Sequence, residues 1–333
     1  GLMEKTMAVY DVEPRYADRF ADVTNQKEKV PFQVVAFTSL EALKEYAREH
    51  TIEILLISSA VPKELVKEIP AGQVVVLADG EVVPAPKEYP SVHKSQSTDS
   101  IIREVLAHYC EQPKTAEYVI VGTKAKILGV YSPIGRCLKT SFSWTLGQQL
   151  GKNGKTLLVS MEEYSGFSRL VGEEMQSDLA DVFYFYRQGN CSFARLSSMI
   201  YTWGNLDYIP PVRYPEDLGQ ITGEEMAEFL TRIASESSYE MLVVDMGNVG
   251  RHAIPMMDAC DAVYMPVKDD CVSAAKLEEF EAYLETSGKR GLLEKIQRVK
   301  LPYHSGFGRR DTYLEQLVWG ELGDYVRQLL KGK

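Results

Sequence analysis

Short apolar runs alternate along this chain with longer segments whose apolar residues recur every three or four positions. The runs at 7–13, 30–38, 52–59, 73–79 and 90–95 predict strands. The one at 52–59, IEILLISS, is almost continuously apolar, as expected of a parallel strand covered on both faces. Segments 40–50 and 98–110 carry the helical period, the second with Ile101, Ile102, Val105 and Leu106 on one face. Thr38 and Glu41 have the spacing of a capping box at the head of the first of these helices. A polar stretch, EQPKTAEY at 111–118, interrupts the pattern. Beyond it, strands are predicted at 126–132, 155–161, 239–247 and 261–267, and helices at 138–150, 223–236, 273–288 and 312–330. The helix at 138–150 sets Leu138, Phe142, Leu146 and Leu150 on one amphipathic stripe, and that at 273–288 ends on Gly288, a C-cap glycine. Residues 177–214, rich in Tyr, Phe and Trp, are the least periodic and predict irregular helices. The alternation predicts an α/β protein with two doubly wound parallel sheets. The first domain would span 1–112, a linker 113–124, and the second domain 125–333.

Composition narrows the classes of function. A length of 333 residues fits two domains at about 150 residues each. Lys plus Arg number 37 against 47 Asp plus Glu, a formal charge of −10. Such a surface is a poor general binder of nucleic acid, which requires cations to displace condensed counterions. The five cysteines are scattered, odd in number and without a CxxC, which argues against a disulfide framework or zinc knuckle and fits a reducing cytosol. No apolar run approaches the roughly 18–20 residues that span a bilayer. The opening GLMEKTMAVY has neither the basic start nor the apolar core of a signal peptide. No His has a metal-ligand spacing, and neither GxSxG nor HExxH occurs.

The informative chemistry lies at 129–142, GVYSPIGRCLKTSF. A phosphate-binding loop follows a strand and opens a helix. Its amides and the helix N-terminus cradle the phosphates, its Lys reaches the β and γ oxygens, and the next hydroxyl binds Mg²⁺. Lys139 and Thr140 have those places, with Gly135, Arg136, Cys137, Leu138 and Ser141 around them. The loop glycines are largely missing: Pro133 stands at the first glycine position and Leu138 directly before the Lys. By itself a Lys-Thr-Ser at a helix start is more often a simple cap than a nucleotide site, and Cys137 reads as a space-filler. Two strands add carboxylates at their ends, LVVDMG in Asp245 and TLLVSMEE in Glu162 and Glu163.

With strand, loop, helix and acids in that order, residues ~125–330 resemble the MinD/ParA branch of P-loop NTPases, whose loop reads KGGxGKT. The resemblance implies a MinD/ParA-like parallel sheet that binds ATP or ADP with Mg²⁺. Lys139, Asp245 and Glu162 would be the catalytic residues, and Thr140 and Asp245 would hold the metal. Lys268, Pro302 and Tyr303 would lie at the base edge. Ser160 falls where the family has its first switch Asp, and Ile134 where it has the signature Lys that crosses to the partner subunit. Residues 7–110 resemble a receiver (flavodoxin-like) domain, with Asp11 and Glu13 at the acid positions and Lys94 at the Lys position. Ser58 stands where the phosphorylated Asp belongs, so no phosphotransfer is expected and a docking module is the economical reading. Together the two halves resemble CpaE-type proteins of pilus and Tad secretion systems. That resemblance implies a homodimer, a protein partner in a membrane-associated machine, and a cytoplasmic or peripheral inner-membrane location.

Three functions follow. The first is an ATP-binding switch or localisation factor with slow or no hydrolysis. The second is a catalytically inactive scaffold that kept the NTPase fold. The third, a DNA-segregation ATPase, is disfavoured by the acidic charge, and no specific nucleic acid is expected. The aromatic run at 182–193 reads as a two-sided buried helix or, alternatively, a partner surface. The amphipathic tail at 314–333 reads as a core helix rather than a membrane anchor, because its polar face is mixed in charge.

Overall fold

The computed structural model describes residues 5–27, 29–80, 88–112, 124–135, 137–248, 250–302 and 312–332. They belong to two units, one of 1–119 with 190–200 and one of 120–189 with 201–333.

In the first unit the chain runs β1 (Lys5–Tyr10), α1 (Pro14–Asn25), β2 (Phe32–Phe37), α2 (Leu40–Glu49), β3 (Ile54–Ser58), α3 (Lys63–Lys67), β4 (Gln73–Ala78), β5 (Ser91–His93) and α4 (Thr98–Cys110). The strands pair in the order β2-β1-β3-β4-β5, every pair parallel. This is the order of the doubly wound flavodoxin-like sheet. All five residues of β3 are buried, which explains its continuous apolar run. One face packs under α1 and α4 through Phe20, Ile102 and Leu106, the other under α2 and α3 through Leu43 and Val66. The cap of α2 lies one residue later than the capping-box spacing suggested. Ser39 accepts from the Ala42 amide at 3.1 Å, which leaves Glu41 at the second helical position, where it cannot complete the reciprocal bond.

Residues 190–200 also belong to this unit, although nothing in the sequence pattern marked them. Their short helix, Phe193–Ser197, packs on α4. The carbonyl of Ile200 accepts from the fully buried Lys29 ammonium at 2.9 Å, and Lys29 pairs with Asp99, which also meets Lys27 and Arg103.

The second unit contains β6 (Lys126–Val130), α5 (Lys139–Gly151), β7 (Thr156–Ser160), α6 (Phe167–Val171) and α7 (Leu179–Arg187). After α8, the helix already given at Phe193–Ser197, come β8 (Tyr201–Trp203), β9 (Leu206–Ile209), α9 (Gly223–Glu236), β10 (Met241–Asp245) and α10 (Gly250–Ala259). The unit continues with β11 (Ala262–Pro266), α11 (Cys271–Thr286), β12 (Ile296–Val299), α12 (Tyr313–Trp319) and α13 (Glu321–Lys331). Its sheet has the order β12-β11-β6-β10-β7-β9-β8, parallel except for the β8–β9 hairpin. Strand β8, paired antiparallel with β9, corrects the expectation of irregular helices across 177–214.

Three further expectations change. Helix α5 is not amphipathic: Phe142, Trp144, Leu146 and Gln148 are all buried, because α12 and α13 cover the side away from the sheet. The single terminal helix is two, broken at Gly320, where a Cβ would lie 2.5 Å from the Gln316 carbonyl oxygen. Leu322 and Val326 of α13 join Phe142 and Leu146 in one core, so the tail is core. The aromatic run on α7 is one-sided: Phe183 is buried against Phe229, ring centroids 4.6 Å apart, while Tyr184 is 59% exposed. Among the described residues no helix is long and apolar enough to cross a membrane.

Candidate functional site

The carboxyl ends of three adjacent parallel strands lie level. Val130 of β6 pairs with Asp245 of β10, and Asp245 pairs with Ser160 of β7. Ligands of open α/β sheets bind outside such ends. The loop from β6 into α5 therefore faces Asp245 and the segment after Ser160.

That loop is largely satisfied by its own chain. The Ser132 hydroxyl donates to the Pro266 carbonyl at 2.7 Å and accepts from the Ile134 amide at 3.1 Å, and the Cys137 thiol donates to the Ile134 carbonyl at 3.2 Å. Pro133 has no N–H to offer. Ile134, at the signature-lysine position, is buried. Leu138 adopts φ 60°, ψ 25° at the head of α5, a left-handed conformation that costs an L-residue about 1–2 kcal/mol. The turn that glycine would supply is thus made by leucine. Gly135 has no positive φ, and a Cβ there would meet nothing within 4 Å.

Lys139, only 7% exposed, does not point into open space. Its ammonium donates to the Gly247 carbonyl at 2.7 Å and to Asn248 Oδ1 at 2.8 Å. Gly247 has φ 63°, and a Cβ there would stand 2.8 Å from the Met161 carbonyl oxygen, so only glycine lets the loop after β10 press against the one after β7. The Gly247 amide donates to Asp245 Oδ1 at 3.0 Å. Asp245 Oδ2 and Glu162 Oε2 are both buried and meet no hydrogen-bond donor among the described residues. Burial raises the Asp245 carboxyl, opposed by the Gly247 amide, Lys139 and the Ser160 hydroxyl. Burial, with the charge of Asp245 behind it, pushes Glu162 up to about 7 against the pull of Lys139.

The structure thus brings Lys139, Asp245, Glu162 and Ser160 together at one end of the sheet. Thr140 is half-buried in the first turn of α5, and Ser141 beside it shares a hydrogen bond of 2.8 Å with the Tyr313 hydroxyl. Lys268 is exposed on the loop after β11, and Pro302 is half-buried after β12. Neither is joined to the loop by a hydrogen bond or ion pair among the described residues, while Arg136 and Tyr303 lie outside those residues. Sequence reasoning missed Asn248 and Tyr313. Asn248 was within reach, three residues past Asp245 in LVVDMGN, whereas nothing near Tyr313 signalled it.

Among the described residues no three His, Cys, Asp or Glu side chains converge on a metal position. Two carboxylates and a hydroxyl nevertheless suit Mg²⁺, which takes one or two carboxylates and fills its remaining positions with phosphate oxygens and water. The two orphaned carboxylate oxygens have the chemistry of that donor set.

The first unit has its own strand-end cluster. Lys94 donates to Asp11 Oδ2 at 2.7 Å, lies 3.5 Å from Glu13 Oε1, and sits 4.7 Å over the Tyr16 ring. Ser58 is buried, its hydroxyl accepting from the Ala60 amide at 3.2 Å.

No protein-family model matches the chain, and no curated protein matches it. Among solved structures it is similar to a putative plasmid partition protein from Borrelia burgdorferi bound to AMPPNP. That protein is 16% identical, over 63% of this chain and 100% of the other, at a TM-score of 0.46. A ParA family ATPase from Chlorobium tepidum is 16% identical over 62% of this chain and 93% of its own, at 0.47. The septum site-determining protein MinD from Pyrococcus horikoshii, complexed with Mg-ADP, is 17% identical over 57% and 76%, at 0.42.

Proposed function

We propose that the second unit binds ATP with Mg²⁺ at the head of α5 and serves as a nucleotide-responsive switch or localisation factor with slow or absent hydrolysis. The observation that carries this reading is the pair of buried, unpartnered oxygens, Asp245 Oδ2 and Glu162 Oε2, beside the buried ammonium of Lys139. Buried polar oxygens left without a partner are costly unless a ligand answers them. Thr140 and Asp245 would hold the cation, which would screen the phosphate charge. Lys139 would exchange Gly247 and Asn248 for phosphate oxygens, and the first turn of α5 would supply amides and the positive end of its dipole. The first half of the loop contributes little, since Pro133 lacks an N–H and the Ile134 amide is taken by Ser132. Weak affinity follows. Ser160 in place of an acid, and a buried Ile134 in place of the second Lys, favour slow turnover. The resemblance to CpaE-type proteins adds the setting: a homodimer acting at a pilus or secretion assembly, with the receiver-like first unit as its docking module.

A second reading is favoured by one specific observation. Two of the three Lys139 N–H donors are already engaged within the chain, as they would be in a scaffold that no longer binds nucleotide. Isothermal titration with ATP-Mg on wild type and Lys139→Ala separates the two. Binding that disappears in the variant is expected; undetectable binding in both leaves only the scaffold.

A further inference from the structure

Tyr313 is far from the phosphate loop in sequence, yet its hydroxyl lies 2.8 Å from Ser141 Oγ, 172 residues away. The residue is 6% exposed and its ring stacks on Trp203 at 15° between planes, centroids 6.1 Å apart. A phenylalanine would keep that stacking, so packing alone does not call for the hydroxyl. Ser141 sits two residues past Lys139 in the first turn of α5, where the helix amides have no partner within the helix. Tyr313 opens α12, which packs on α5; the Gln149 side chain of α5 donates to the Val318 carbonyl of α12 at 3.1 Å and fixes the two helices together.

We infer that Tyr313 is a positioning residue for the nucleotide site, acting through Ser141: its hydroxyl donates to Ser141 Oγ and leaves the serine proton to point at a bound phosphate. A hydroxyl has one proton and two acceptor lone pairs, while a phosphate oxygen only accepts. Ser141 can therefore serve an anion only as donor, and the acceptor side of its oxygen is then open to Tyr313. The two hydroxyls form a directed pair, with the terminal helices of the unit setting its direction. This inference rests on the proposed nucleotide binding and deepens it, because it ties affinity at the head of α5 to the packing of α12.

The experiment is a double-mutant cycle read by isothermal titration of ATP-Mg into wild type, Tyr313→Phe, Ser141→Ala and the double variant. Tyr313→Phe is expected to weaken binding about fivefold, the worth of one hydrogen bond. In the Ser141→Ala background the same change is expected to alter nothing, because the residue through which it acts is gone. An unchanged or tighter affinity in Tyr313→Phe overturns the inference. So does an equal loss in both backgrounds, which is the signature of a purely structural role. A wild-type chain that ignores ATP-Mg removes the underlying reading, and the inference with it.

Discussion

Each unit of this protein places acids and a lysine at the carboxyl ends of parallel strands, and the two clusters are built in opposite ways. In the first, Lys94 sits on the acids themselves, 2.7 Å from Asp11 and 3.5 Å from Glu13. One oxygen of Asp11 lacks a donor, but the other already carries a cation. In the second, Lys139 is directed to a backbone carbonyl and an amide side chain, and the acids Asp245 and Glu162 are left with unpartnered oxygens. The first cluster sets its lysine against its own acids. The second leaves two buried carboxyl oxygens without a donor among the described residues. The lesson is that the same residue types at the same topological place form different electrostatic arrangements according to where one ammonium points.

The largest expected effect tests the closed cluster. Lys94→Met leaves the buried Asp11 without its cation and should destabilise the first unit by about 3 kcal/mol, the usual cost of breaking a buried pair. Urea unfolding measures it, and ATP-Mg affinity should not change. A drop in affinity of the same order would mean that the clusters are not independent.

The second test uses pH. Glu162 is pushed up to about 7 by burial and by Asp245, from an ordinary value of 4.5. Its proton is therefore bound more tightly in the folded than in the unfolded chain. Between about pH 4.5 and 7 the folded state holds the extra proton, so this group's contribution to stability falls as pH rises through that window and is level above it. A cation beside Glu162 favours the carboxylate. ATP-Mg affinity should accordingly rise with pH by up to about tenfold per unit until pH 7 and then flatten. Titrations in buffers of different ionisation enthalpy count the proton released, and Glu162→Gln should erase the slope.

The smallest effect concerns the hold on Lys139. Asn248→Ala removes one of its two acceptors, so Lys139 should leave more readily for phosphate and ATP-Mg should bind about fivefold more tightly. Weaker binding in this variant would make Asn248 a ligand contact rather than a competitor.

Much of this was legible in the sequence for physical reasons. Central parallel strands are buried on both faces, so β3, β7 and β10 announced themselves as apolar runs. Lys139, Asp245 and Glu162 were legible because each sits at a strand or helix end that the pattern located. The break at Gly320 was harder, because Tyr313 to Leu330 keeps one apolar stripe across it. The left-handed turn at Leu138 was only half legible: the sequence shows a leucine where the loop would have glycine, but not that the leucine keeps the turn at φ 60°.

The sequence alone determined two α/β units, the parallel strands of each, and which acids and lysines stand at the strand ends, because burial and helical period are written in local order. Only the tertiary structure decided that residues 190–200 join the first unit, that Lys94 reaches Asp11 while Lys139 turns to Gly247, and that Tyr313 meets Ser141. Those are contacts between residues far apart in the chain. Their existence depends on the direction of single side chains after the sheets have closed, and no local pattern encodes that.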